Sequence, residues 1–458
     1  MNFDENLILL TDSYKATHWL QYPPDTERVY SYFESRGGKF DEVVFFGLQY
    51  YLRKYLEGEV VTREKIDAAE SFWNEHLGVT RLFNREGWDA IVTDHGGRLP
   101  VRIRAVPEGT VVPTRNVMMT IENTDPRLYW LPNYLETMLV QVWYGCTVAT
   151  LSCEMRKLIG GYLEKTGDPS LIDFKLHDFG FRGVSSVESA AMGGAAHLVN
   201  FRGTDNIAGA LLARQYYGAE MAGFSIPASE HSTITSWGEE NEVDAFQNML
   251  EKYPTGLVAC VSDSYDIFRA CEEYWGRDLK DRVLERDGTL VVRPDSGDPP
   301  VVVKQVIETL GRAFGTEIND KGYRVLPPQV RVIQGDGIDY AMTNQILTVL
   351  DLGGWSADNV TFGMGGGLLQ KLNRDTQQFA FKCAEVVVKG VARDVWKDPV
   401  TDPGKVSKRG RLALQRNADG VLETLPEGDA RTNELIDVFL DGEVLDRPTF
   451  DEIRERAA

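Results

Sequence analysis

Between Lys175 and Trp237 the chain carries three polar clusters, KLHDFGFRG, NFRGTDN and GFSIPASEHSTITSWG, each reached through an apolar segment. Together they gather carboxylates, imidazoles, guanidinium groups and hydroxyls, the set needed to orient a polar substrate and stabilise developing charge. VACVSDSYD, LVVRPDSGD, VRVIQGDGID and VTFGMGGGLL repeat the pattern further along. Asp266, Asp295 and Asp336 thus follow separate apolar runs. Carboxylates on neighbouring strand ends repel unless a cation lies among them, and Mg²⁺ carried by a diphosphate fits, because it keeps waters and takes few protein ligands. The plainer alternative is helix capping and turn formation, which Asp263 and Asp295 also suit.

Glycines in FGMGGGLL (Phe362 to Leu369) and QGDG (Gln334 to Gly337) let backbone approach an anion closely, and Lys371 and Arg374 follow the first cluster. Phosphate binding is the reading favoured over a tight strand-to-helix turn. His177 and His231 are the histidines in motif context, and no Cys/His spacing suggests zinc. Ser225, His231 and Asp266 do not make a hydrolase triad, since nothing resembles a nucleophile elbow. Ser185 to Glu188 reads as a capping box. Phe179 is by default a packing residue, with stacking on a flat heteroaromatic ring as the alternative.

These groups need a scaffold that delivers many strand ends to one place. Apolar runs ending in turn chemistry, separated by helical segments, imply a parallel sheet buried on both faces. A barrel is favoured over an open sheet, because an open sheet concentrates its site at one switch point. The expected fold is α/β: an irregular (β/α) barrel plus a mixed α+β domain built from the N- and C-terminal parts. The boundaries are residues 1–150, 151–380 and 381–458. In the first part Glu27 to Arg36 alternates as a strand, Val43 to Leu56 takes helical spacing, Leu99 to Asp125 reads as short antiparallel strands, and Tyr129 to Thr150 as a buried helix.

The 458 residues carry a net charge of −20 and 26% charged residues, which argues against a nucleic-acid or anionic-membrane surface. Polyanionic substrates would need local cations: Arg293, Lys371 with Arg374, Lys382, and the run from Lys405 to Arg411. No apolar run reaches the roughly 18 residues that span a bilayer. The five cysteines form no C-x-x-C pair, so a reducing, cytoplasmic setting is expected.

HDFGFRG, FRGTDN and ASEHSTITSWG, with TDSYKATHWLQYPP near the start and SKRGRLAL near the end, closely resemble the nicotinamide phosphoribosyltransferases. The resemblance implies transfer of phosphoribose from phosphoribosyl pyrophosphate to nicotinamide, with Mg²⁺ as cofactor, ATP as co-substrate, and a homodimer sharing its active sites. It places nicotinamide between Phe179 and, from the other subunit, Tyr14 with Asp12 beside it. Asp205 would accept from the carboxamide and repel nicotinate, with Arg293, Ser225 and Ser262 placing the amide and Arg182 near ring and ribose phosphate. Asp295 and Asp266, supported by Asp336, would hold ribose hydroxyls and the Mg²⁺-bound diphosphate. Gly335, Gly365 and Gly366 would bind the 5′-phosphate, and Arg36, Arg374, Lys382, Lys397 and Lys405 would gather round diphosphate or nucleotide. His231, with Glu230 adjacent, matches the histidine that ATP phosphorylates. Phe181 stands where vertebrate members have Tyr, and the stretch after Arg36 is short. A nicotinate phosphoribosyltransferase, which Asp205 disfavours, and a catalytically silent nucleotide binder are the alternatives.

Overall fold

The computed structural model describes residues 5–401 and 406–458. They form two compact units: Leu151–Arg214 with Glu220–Leu372, and Met1–Thr150 with Gln215–Ala219 and Asn373–Ala458.

The first unit is built on six parallel strands: β1 (Leu176–Asp178), β2 (Gly203–Thr204), β3 (Thr255–Val261), β4 (Asp287–Arg293), β5 (Val330–Gln334) and β6 (Val360–Met364). Their spatial order is β2-β1-β6-β5-β4-β3. Both edges are bridged to one segment, Gly203 to Phe224 and Ala259 to Ala228. Thr204 N donates to Phe224 O (2.9 Å), and Ala259 N to Pro227 O (2.9 Å). Residues 224–229 therefore close the sheet into an irregular barrel. Ala259, Val291 and Ile333 pack together, with Phe179 and Ile226 against them. In Pro299–Phe314, Val303, Val306, Ile307 and Leu310 recur at helical spacing on the buried side, as an amphipathic helix beside a sheet requires.

At the start of β1, Lys175 is buried and donates to the carbonyls of Ala357, Asp358 and Val360 (2.9–3.0 Å). Arg331 serves Leu326, Pro327 and Val330 in the same way. These cations satisfy carbonyls that the strand ladder leaves over.

The second unit contains a seven-stranded antiparallel sheet in the order Val391–Asp394, Phe379–Val388, Thr26–Ser35, Val117–Asn123, Val101–Ala105, Ile436–Leu440, Glu443–Val444. Thr26–Ser35 pairs with Phe379–Val388 along its whole length, so the two chain ends build one sheet. The excursion Gln215–Ala219 also belongs here: Tyr217 donates to the buried Glu108 (3.1 Å) and stacks on Phe46.

Three local readings need correction. In the stretch Val43 to Leu56, Val43 and Val44 pair with Val112 and Val111 as strand, and helix begins only at Leu48 after the left-handed Gly47. The segment Tyr129 to Thr150 is divided among successive helices, the last running Val142–Thr166. The cap of the helix Val187–Leu198 is Ser186, accepting from Ser189 N, which leaves Glu188 one position short of the capping-box site. Among the described residues no helix is long and apolar enough to cross a membrane.

Candidate active site

Parallel strands in a closed barrel put all their C-terminal ends on one face. Asp178 ends β1 and Phe179 follows it, Asp205 follows β2, and Ser225 lies in the closing segment. Ser262 and Asp263 follow β3, Arg293 ends β4, Gly335 follows β5 and Gly365 follows β6.

Phe179 N donates to Met364 O (3.1 Å), which draws the start of its loop over β6. The ring packs closely against glycine: a Cβ on Gly363 would fall 2.0 Å from Phe179 Cε2, and one on Gly335 3.0 Å away. Asp205 N donates to Asp178 O (3.0 Å), and the Ser225 hydroxyl donates to Asp205 Oδ1. Asp205 and Ser225 are both exposed, so a carboxylate with one fixed partner faces outward one strand from the aromatic ring. Arg182 is exposed on the short turn Phe181–Gly183.

His231 opens a short helix, His231–Thr235, after Glu230. Its Nε2 lies 3.1 Å from Asp263 Oδ1, and its Nδ1 lies 4.0 Å from Asp295 Oδ2. Ser296 donates to the other Asp263 oxygen (2.5 Å), so Asp263 is a fixed partner for the imidazole. Arg293 lies 3.6 Å from Asp295. The Glu230 carboxylate takes the Ser232 hydroxyl, an arrangement local to the helix start. His231, Asp295, Arg293 and Asp263 thus form one cluster, and Asp263, read from sequence only as a turn former, is its buried member.

Other expected residues sit differently. Asp266 Oδ1 accepts from Phe268 N and Arg269 N (2.9 and 3.0 Å), capping a helical turn. Ser262 is fully buried, accepts from Trp275 Nε1 (3.1 Å) and donates to Cys260 O (3.0 Å), so its hydroxyl is turned inward. Asp336 is exposed on its loop, with its carbonyl held by Gln334 Nε2 (2.9 Å). Gly365 precedes the one-turn helix Gly366–Leu369, and a Cβ on Gly367 would meet Ile338 O at 2.6 Å. The two glycine-rich turns therefore touch backbone to backbone.

In the sheet unit, Asp12 accepts from Thr137 (2.9 Å), and Tyr14 is 58% exposed, meeting His18 edge to face. Burial holds Lys382 below its ordinary pKa, and Arg36, Arg374 and Lys397 add to the effect against Glu136. Those four cations are electrostatic neighbours. Arg36 and Lys408 share the buried Glu34 carboxylate. Lys405 lies outside the described residues. Asp178 and Asn206, both fully buried behind the ring and the Asp205 carboxylate, were not singled out from sequence. Their places in HDFG and TDN, directly beside Phe179 and Asp205, are the available signal.

Residues 174–443 match the nicotinate phosphoribosyltransferase (NAPRTase) family, and residues 6–103 match the nicotinamide phosphoribosyltransferase N-terminal domain. The chain is 52% identical to the nicotinamide phosphoribosyltransferase of Xanthomonas campestris pv. campestris, with 100% of this chain and 99% of that one covered. It is 35% identical to the enzyme of the same name from Acinetobacter baylyi, covering 100% and 98%. A nicotinate-nucleotide pyrophosphorylase from Pyrococcus furiosus shares the fold at TM-score 0.62 and 17% identity, covering 100% and 95%. Human nicotinic acid phosphoribosyltransferase does so at 0.57 and 17%, covering 98% and 93%.

Proposed function

Because this chain belongs to the nicotinate phosphoribosyltransferase family, we propose that it transfers phosphoribose from phosphoribosyl pyrophosphate to nicotinamide, releasing diphosphate and forming nicotinamide mononucleotide for NAD salvage. The observation that carries the choice of base is Asp205: an exposed carboxylate, fixed by Ser225 and by its own backbone, one strand from the ring of Phe179. A carboxamide N–H donates to such a group, whereas the carboxylate of nicotinate is repelled by it.

The pyridine nitrogen is a neutral nucleophile, so the site needs no general base to activate it. Its work is to orient the ring, through Phe179 and Asp205, and to stabilise an oxocarbenium-like ribosyl centre and departing diphosphate. Arg293 and Arg182 supply cationic groups on the barrel face, and the two glycine-rich turns present backbone N–H groups to the 5′-phosphate. Among the described residues no three His, Cys, Asp or Glu side chains converge to hold an ion. Mg²⁺ would arrive on the diphosphate, with Asp295 and Asp336 as its protein carboxylates, and would neutralise the leaving group.

His231 fits a phosphoryl acceptor for ATP. With Nε2–H donating to Asp263, the Nδ1 lone pair is the nucleophile. Its attack on the γ-phosphorus forms the N–P bond and releases ADP, and water later cleaves that bond to phosphate. The exposed Tyr14 ring and the Arg36, Arg374, Lys382 and Lys397 cluster suit a homodimer in which the second copy completes the site. Static light scattering that gave a monomer mass would remove that element. The free cysteines, most of them buried, fit a cytoplasmic setting. The reaction itself is tested by incubating the protein with nicotinamide, phosphoribosyl pyrophosphate and Mg²⁺. Mass spectrometry should find nicotinamide mononucleotide, and its absence would reject the reading.

A further inference from the structure

We propose that Asp178 and Asn206 form a buried positioning pair that fixes the ring of Phe179 and the carboxylate of Asp205 relative to one another, and so sets the preference for a carboxamide over a carboxylate. The inference rests on the nicotinamide reading above. Asp178 Oδ1 accepts from Gly180 N (2.7 Å), which shapes the turn carrying Phe179. Its Oδ2 accepts from Asn206 Nδ2 (2.9 Å), and its carbonyl accepts from Asp205 N (3.0 Å). One residue thus holds the loops after both strands.

Asn206 is anchored in turn. Its N–H donates to Thr204 Oγ1 (2.9 Å), and its Nδ2 also donates to Ala190 O (2.8 Å) in the helix behind. A Cβ on Gly194 would lie 2.5 Å from Nδ2, so this helix has no side chain where the amide sits. An ordinary turn former would be exposed, but Asp178 and Asn206 are both 0% exposed. Burial pushes the Asp178 carboxyl up to about 6 against its two donors, and Asp205 adds to the rise. A carboxylate held in the core at that cost places a second negative charge behind Asp205, where it further disfavours an anionic base.

The test compares Asp178→Asn and Asn206→Ser with the unaltered enzyme, measuring kcat and KM for nicotinamide, nicotinate and phosphoribosyl pyrophosphate. Asp178→Asn faces one amide with another, and Asn206→Ser removes the donor while leaving Asp178 in place should the first variant not fold. Each variant is expected to raise the nicotinamide KM by about tenfold, the scale of one lost hydrogen bond, with kcat and the phosphoribosyl pyrophosphate KM within about threefold. The Asp178→Asn variant should also narrow the nicotinamide-to-nicotinate preference by about tenfold. Unchanged constants, or a uniform fall in kcat with unchanged selectivity, would overturn the pair's role while leaving the nicotinamide reading intact. An unaltered enzyme that ignores nicotinamide would overturn both.

Discussion

Replacing Asp205 by Asn removes a charge and keeps the shape. Asn can still accept a carboxamide N–H through its Oδ1, so nicotinamide should lose only the charge-assisted part of one hydrogen bond, about 1 kcal/mol or roughly fivefold in kcat/KM. Nicotinate has more to gain. Two like charges about 4 Å apart repel by about 1 kcal/mol in a water-like medium and about 4 kcal/mol at the effective dielectric constant of a protein surface. Asp205 is exposed but fixed by Ser225, so the true value lies between these limits. Relief of that repulsion should raise nicotinate kcat/KM by roughly fivefold to a thousandfold. The assay is initial-rate formation of each mononucleotide at fixed phosphoribosyl pyrophosphate and Mg²⁺, with melting temperature as the control for folding. An Asp205→Asn variant that loses activity equally with both bases, or keeps the original ratio, would refute the electrostatic account of selectivity.

His231→Ala should abolish stimulation by ATP while leaving ATP-independent turnover within about tenfold, because the imidazole is not required for ribosyl transfer itself; full stimulation in the variant would remove the phosphohistidine. Gly363→Ala places a methyl group where the Phe179 ring lies, 2.0 Å from Cε2, and should raise the nicotinamide KM at least about tenfold with little change in that for phosphoribosyl pyrophosphate. Burial pushes Glu108 up to about 7, against donation from Gln49, Gly47 and Tyr217. The folded state then binds a proton that the unfolded state releases between about pH 4.3 and 7, so the stability Glu108 contributes is complete below about pH 4.3 and lost as pH rises through 7. Glu108→Gln removes the titrating group and should narrow the difference in Tm between about pH 6 and about pH 8; an unchanged pH dependence would contradict that assignment.

The barrel was legible because its buried strands read as apolar runs and its strand ends carry turn-forming acids and glycines. LVVRPDSGD and VRVIQGDGID show both signals within a few residues. The closing segment was not legible: GFSIPAS has no β-branched run and contains Pro227, and it is recognised only by its bridges to Gly203 and Ala259. Nor does the sequence show that Gln215–Ala219 belongs with the sheet unit, since the partition falls within a continuous helix, Ile207–Tyr217. At the site, motif context marks His231 and the end of an apolar run marks Asp295, but Asp263 reads only as a capping or turn residue, because its importance comes from a hydrogen bond to His231 across a sequence separation of 32. Ser262 shows the converse. It stands in the right motif, yet Trp275 and Cys260 hold its hydroxyl inside the barrel wall. Asp178 was hidden for the same reason, because burial and partners contributed by another strand are tertiary facts.

The central claim, that nicotinamide is the base, is tested most directly by competition. The protein is given equal concentrations of nicotinamide and nicotinate with limiting phosphoribosyl pyrophosphate, Mg²⁺ and ATP, and the two mononucleotides are separated and counted by mass spectrometry. Nicotinamide mononucleotide as the dominant product is the expected result, whereas a majority of nicotinate mononucleotide would contradict the role assigned to Asp205 and with it the account of the site.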